Sequence, residues 1–234
     1  MPAAILEPIN QAAAGMLVMP EGYLKGFERL CRRHGVLLIA DEVATGFGRT
    51  GEMFACDLEG VRPDLLCVAK SLSGGYLPLA ATLATDRIYK GFLGRYEEFK
   101  TFFHGHTYTG NPLACAAALA NLKVFEKEKT LYNLQPKIRF LTQALKKFVK
   151  LPHVGEVRQK GFMVGIELVR GKKPPTPYAW EEKIGIKVCQ HARKEGLILR
   201  PLGNIIVLMP PLAISPDELK TMLDGTYRAI KRAI

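Results

Sequence analysis

Two residues invite a chemical reading first. Asp41 stands near the end of the apolar run VLLIADE (36–42), and Lys70 closes a second run, DLLCVA, 29 positions later (41 to 70). A carboxylate at a strand end can hold a cation or a protonated ring nitrogen. An amine that sheds its proton is a nucleophile able to form a Schiff base with a carbonyl. Plainer roles exist for each: Asp41 or Glu42 as a loop-capping carboxylate, Lys70 as a lysine snorkelling to solvent. Read together, the pair is more specific. A carboxylate for a pyridinium nitrogen and an amine for an imine are the protein's share of pyridoxal-phosphate chemistry.

A third segment, TFFHGHTYTGNPLACAAAL (101–119), is a polar Gly/Thr/His loop running into a helix N-terminus. Such an end favours phosphate, because its first amides lack partners. Thr107 and Thr109 offer hydroxyls. His104 and His106 read either as general bases or as ordinary loop histidines, and no third metal ligand lies near them in sequence.

These groups need elements to place them. VLLIADE and DLLCVA are continuous apolar runs, the pattern of parallel strands buried on both faces. LAATLAT (79–85) reads the same way. The opening PAAILEPINQAAAG reads as a strand and a loop, and EGYLKGFERLCRRHG (21–35) as a helix stopped at Gly35. Strands alternating with helices predict an α/β layer architecture. Asp41 and Lys70, one strand–connection–strand unit apart, would then share one edge of the sheet. One or two long helices cover 110–149, starting at Asn111 and Pro112. Beyond Pro152, paired strands, a helix at 180–195, two further strands and a final helix capped by Ser215 and Glu218 predict a smaller α+β domain. The division expected is 1–122 for the larger domain and 123–234 for the connecting helix and the smaller one.

The bulk composition narrows the classes. The chain has 234 residues, 48% hydrophobic and 24% charged, which is ordinary for a globular protein. No apolar run has the length of a membrane span, and no secretory signal is visible at the start, so the cytoplasm is expected. Five cysteines lacking any CxxC pair read as free, mostly buried thiols. The net charge of +11 is spread along the chain without a nucleic-acid-binding motif, so neither a nucleic-acid nor a membrane partner is expected.

The block LLIADEVATGFGRTGEMFACDLEGVRPDLLCVAKSLSGGYLPLAA, with FHGHTYTGNPLACAAALANL, closely resembles the class III pyridoxal-phosphate aminotransferases of fold type I. Within that family it is most similar to the branch that moves an amino group from S-adenosylmethionine to 8-amino-7-oxononanoate in biotin synthesis. Ala44, where Gln is usual, and LILRPLGNIIVLMPP point to that branch. The resemblance implies the C-terminal part of the large α/β domain, with a mostly parallel sheet, plus a small α+β domain. It implies pyridoxal 5′-phosphate as cofactor, no metal, and a homodimer with active sites at the interface. Lys70 would form the Schiff base and shuttle the proton, Asp41 pair with the pyridine nitrogen, and Val43 pack on the ring. Gly105 would lie beside the substrate, while His106 and Thr107 would meet the phosphate of the second subunit. Arg200 would bind the substrate carboxylate. Lysine-, ornithine- or ω-amine-using transaminases are the neighbouring alternatives. Family members carry a long N-terminal part before the position of Pro2, so the chain is expected to match their C-terminal portion, and an inactive fragment is the remaining alternative.

Overall fold

The computed structural model describes residues 2–234. The chain forms two compact units, one built from the stretch up to Ile9, Pro20–Phe47 and Glu52–Lys129, the other from Asn10–Met19, Gly48–Gly51 and Thr130–Ile234.

The first unit opens with β1 (Ala3–Leu6). A small ribbon belonging to the second unit follows, β2 (Asn10–Gln11) with β3 (Leu17–Val18). Then comes α1 (Tyr23–Arg33), which buries Leu24 and Cys31. A remote carboxylate caps it: Glu59 accepts from the N–H groups of Gly22 (2.9 Å) and Lys25 (2.8 Å), placing negative charge where the helix dipole favours it. Next are β4 (Leu37–Asp41), β5 (Leu65–Val68), β6 (Ala81–Ala84), α2 (Asp86–Gly91) and α3 (Pro112–Lys127). The sheet order is β1-β4-β5-β6, the first three parallel. Its core gathers Leu38 and Ala40 of β4 with Ile9, Leu24, Cys31 and Ala55.

The expected α/β layer is present, with one correction. LAATLAT was expected to give a buried parallel strand. Instead β6 runs antiparallel to β5 and is exposed at all four positions. The reason lies in the connection. Residues 69–80 contain turns and no helix, and a parallel return needs a longer crossover, usually helical.

Asp64, buried just before β5, ties the opposite end of this layer. It accepts from Leu38 N–H (2.8 Å), Arg32 (2.6 Å) and Arg87 (2.8 Å). Burial alone would raise its pKa, but these donors outweigh it and hold the carboxyl below its ordinary range.

The second unit continues with α4 (Thr130–Val149), β7 (Val154–Lys160), β8 (Met163–Lys172), β9 (Pro175–Pro177), α5 (Ile184–Lys194), β10 (Arg200–Leu202), β11 (Ile205–Leu208) and α6 (Pro216–Ala233). Its sheet, β10-β11-β8-β7 with β9 beside β8, is antiparallel throughout. Leu134, Leu141, Leu145 and Phe148 share one face of α4. They join Ile166, Val188, Ile206 and Leu219 in one core, each such side chain contributing roughly 1.5–3 kcal/mol by burial. Ser215 caps α6 as expected, accepting from Glu218 N–H (3.2 Å) while Glu218 accepts from Ser215 N–H (2.8 Å). The turn between β7 and β8 requires Gly161: its φ is 57°, and a Cβ there would stand 2.5 Å from the Arg49 carbonyl oxygen.

Candidate functional site

Asp41 and Lys70 leave the first sheet at the same edge. Asp41 lies opposite Cys67 in the parallel β4–β5 register, on strands about 4.8 Å apart, and Lys70 follows Cys67 by three residues (67 to 70). The pairing persists to the rim, where Glu42 N–H donates to the Cys67 carbonyl at 2.9 Å. This is the carboxyl end of the strands, where open α/β sheets receive ligands.

Asp41 is half-buried. Its Oδ1 accepts from Val43 N–H at 3.0 Å, an Asx-type turn that fixes the carboxylate. Among the described residues Oδ2 has no hydrogen-bond donor, so one oxygen is held while the other is available to a cation. Val43, also half-buried, starts the turn that this contact shapes. Lys70 is exposed, and among the described residues it makes no ion pair.

Beside Asp41, Glu42 is fully buried. Its Oε2 accepts from Thr45 Oγ1 (2.6 Å) and Ala55 N–H (3.0 Å), and its Oε1 from Cys56 N–H (2.8 Å). Of the two strand-end carboxylates, Glu42 therefore takes the loop-closing role. Burial raises its pKa above the ordinary 4.5, although the bonds from Thr45, Ala55 and Cys56 oppose that shift. A raised folded pKa gives a contribution to stability that is complete below 4.5 and declines as pH rises through the folded value. Glu42→Gln would turn an NH2 toward either the Ala55 or the Cys56 amide, leaving a buried donor unpaired. The expected cost is about 1–3 kcal/mol, with a flatter stability–pH curve on the acid side, both measurable by denaturant titration across pH. An unchanged curve would contradict this account of Glu42.

The turn after Lys70 is anchored from α3. Asn121 Nδ2 donates to the carbonyls of Ser71 (2.9 Å) and Leu72 (3.1 Å). Within the turn, Gly74 N–H reaches Ser71 O at 3.2 Å, and the Ser73 hydroxyl donates to Leu77 O. Gly74 has φ 65°, and a Cβ on it would stand 3.1 Å from Asn121 Oδ1. Glycine is required there by both conformation and space.

The Gly/Thr/His loop is exposed throughout 101–110, and Gly105, His106 and Thr107 stand in it. His106 N–H donates to Thr109 Oγ1 (2.9 Å), and Tyr108 N–H donates to His106 Nδ1 (3.1 Å), which leaves the ring proton on Nε2. Asn111 caps α3, accepting from Leu113 N–H (3.0 Å) and Ala114 N–H (3.1 Å). The loop therefore enters α3 ten residues, about 15 Å along the helix, before the Asn121 anchor. Arg200 lies in the second unit, at the exposed first position of β10, paired with Val207.

The fold thus brings Asp41, Val43 and Lys70 to one rim, and one helix fastens the Lys70 turn and follows the Gly105–Thr107 loop. An amine and a half-free carboxylate on one rim can capture an aldehyde and compensate a ring cation. A phosphorylated pyridine aldehyde fits that donor set. The loop-capping role that the sequence left open between Asp41 and Glu42 falls to Glu42; sequence reasoning missed Asn121. The partners of Asn121 are backbone carbonyls, which leave no mark on residue type.

Comparisons with known proteins show the family of the chain. The family model described as Aminotransferase class-III matches residues 1–230. The adenosylmethionine-8-amino-7-oxononanoate aminotransferase of Nitratidesulfovibrio vulgaris is 58% identical over 97% of this chain and 42% of its own length. A crystal structure of the like-named protein of Methanocaldococcus jannaschii superposes with a TM-score of 0.95 at 51% identity, over 97% of this chain and 53% of that one. An (S)-enantioselective omega-transaminase of Thermomicrobium roseum gives 0.93 at 39% identity, over 99% and 51%. The chain spans about half the length of the curated relatives it matches.

Proposed function

Because the chain belongs to the class-III aminotransferase family, we propose that it carries the Lys70–Asp41 pair of a pyridoxal 5′-phosphate-dependent amino transfer from S-adenosylmethionine to 8-amino-7-oxononanoate, yielding 7,8-diaminononanoate. The observation that carries this reading is the shared rim: Asp41 opposite Cys67, and Lys70 three residues beyond it. The choice of substrates rests on relatives that bear that activity in their names at 51–58% identity.

The cofactor, when bound, supplies an electron sink for charge developing at the substrate carbon. Lys70 would hold the cofactor through its Nζ, and the same amine, when free, would move a proton at the substrate carbon. Asp41, fixed through Oδ1, offers Oδ2 to hold the ring N–H proton. Val43 packs against the ring face, and Gly105 leaves room for the substrate chain. His106 and Thr107 reach the phosphate of a second subunit, so the working form proposed is a homodimer. Arg200 forks onto the substrate carboxylate. The larger α/β unit, which runs on through α3 to Lys129 and not only to 122, carries Asp41 and Lys70, and the smaller α+β unit carries Arg200. Among the described residues no helix is long and apolar enough to cross a membrane. The free cysteines support the cytoplasm as the compartment, since thiols persist where the medium is reducing.

The reading is tested by supplying 8-amino-7-oxononanoate and pyridoxal phosphate with S-adenosylmethionine, lysine, ornithine or an ω-amine in turn. Diamine formation with S-adenosylmethionine alone is expected. Formation with another donor instead would reassign the donor, and none with any would overturn the activity. In the same assay Arg200→Ala should raise the KM for the keto acid roughly 10- to 100-fold, the worth of a charge-assisted pair, and leave the donor KM little changed. Equal rises for both substrates would remove Arg200 from the carboxylate site.

A further inference from the structure

We propose that Asn121 is a positioning residue for Lys70, acting through the two carbonyls that follow it. This rests on the reading of Lys70 as the reacting amine. The Ser71 and Leu72 carbonyls lie just past the end of β5, where the strand ladder no longer supplies donors. One side-chain amide meets both, at 2.9 and 3.1 Å, from fifty and forty-nine residues away. The Ser71 oxygen also accepts from Gly74 N–H at 3.2 Å, so both of its lone pairs are used.

Two consecutive peptide planes are thereby fixed to the rigid body of α3. A turn held this way cannot swing about the backbone dihedrals of Ser71 and Leu72 without breaking these bonds, which gives the long lysine side chain a constant point of origin. Catalytic geometry depends on such support of a reacting group. The same helix carries Asn111 at its N-terminus, capping the end of the Gly105–Thr107 loop. Asn121 therefore references the amine to the element that also seats that loop.

The test compares the wild-type 234-residue chain with Asn121→Asp, which keeps the shape but cannot donate when ionised, and with Asn121→Ala, which removes the group without adding charge. Pyridoxal 5′-phosphate is added, adducts are fixed with borohydride at timed intervals, and each lysine is mapped by peptide mass spectrometry. The variants should slow labelling of Lys70 about tenfold, the equivalent of one to two neutral hydrogen bonds, while labelling of Lys220 stays constant. Equal Lys70 rates in all three proteins would overturn the proposal. A second measurement separates it from the reading on which it rests. Amide hydrogen exchange over 71–77 should quicken about tenfold in both variants, with β7 and β8 unchanged. If wild-type Lys70 takes no label, the reading of Lys70 falls, and the anchoring is judged on exchange alone. Unchanged exchange at 71–77, or an equal rise throughout the chain, would overturn it.

Discussion

Lys70→Ala eliminates the borohydride-fixed pyridoxal-phosphate adduct from the peptide spanning 64–81, and amino transfer falls on the order of a million-fold, the scale at which loss of a covalent nucleophile is felt. Lys70 is exposed at the carboxyl rim of the parallel strands, the rim that also carries the Asp41 carboxylate with its available oxygen, and it forms no ion pair among the described residues. The alanine variant keeps the turn, because the anchoring bonds run to the backbone of Ser71 and Leu72. Its stability should match the wild type, so lost activity would not reflect unfolding. Ordinary turnover in a folded Lys70→Ala protein would refute the assignment.

Asp41→Asn has the second-largest effect. The substitution preserves size and leaves a carbonyl oxygen for Val43 N–H, which Oδ1 now accepts at 3.0 Å. It removes the negative charge that would keep a ring nitrogen protonated. Loss of a preorganised electrostatic partner costs on the order of 10²–10³-fold in turnover. The expected signature is a fall in kcat with the Lys70 adduct still forming, since the amine is untouched. A variant that loses the adduct and turnover together would mean that Asp41 instead supports the local fold, as its neighbour Glu42 does.

Glu42 and Asp41 show how far the sequence could be read. Both are acidic residues at the end of one apolar run, and residue type gave no way to apportion the roles. The structure separates them by burial: Glu42 faces the interior and two backbone amides, Asp41 the rim. The strands VLLIAD and LLCV were legible because continuous apolar runs suit parallel strands, although burial on both faces is not reached: β4 alternates buried with half-buried positions, and only Val68 of β5 is buried. The starts of α3 and α6 were legible because Asn111–Pro112 and Ser215–Glu218 are local signals. LAATLAT failed because small apolar residues fit an exposed edge as readily as a core. Its direction was nonetheless implicit in the helix-free connection before it. Asn121 and Glu59 stayed invisible for a shared reason: each serves backbone groups distant in sequence, 34 to 50 residues away.

The Glu42 carboxylate has one more consequence when regarded as a cross-link. By bonding Ala55 and Cys56 it closes a ring of the chain some fourteen residues around. A short ring has little loop-closure entropy to lose, yet it leaves no slack: an inserted residue between Thr45 and Ala55 must bulge outward or break the closure. Grafted sequence therefore belongs elsewhere. The stretch from Gly91 to Lys100 is exposed at every position and contains no comparable buried clasp among the described residues, so an affinity tag or reporter peptide placed there would leave the root of the ring, where Asp41 stands, undisturbed.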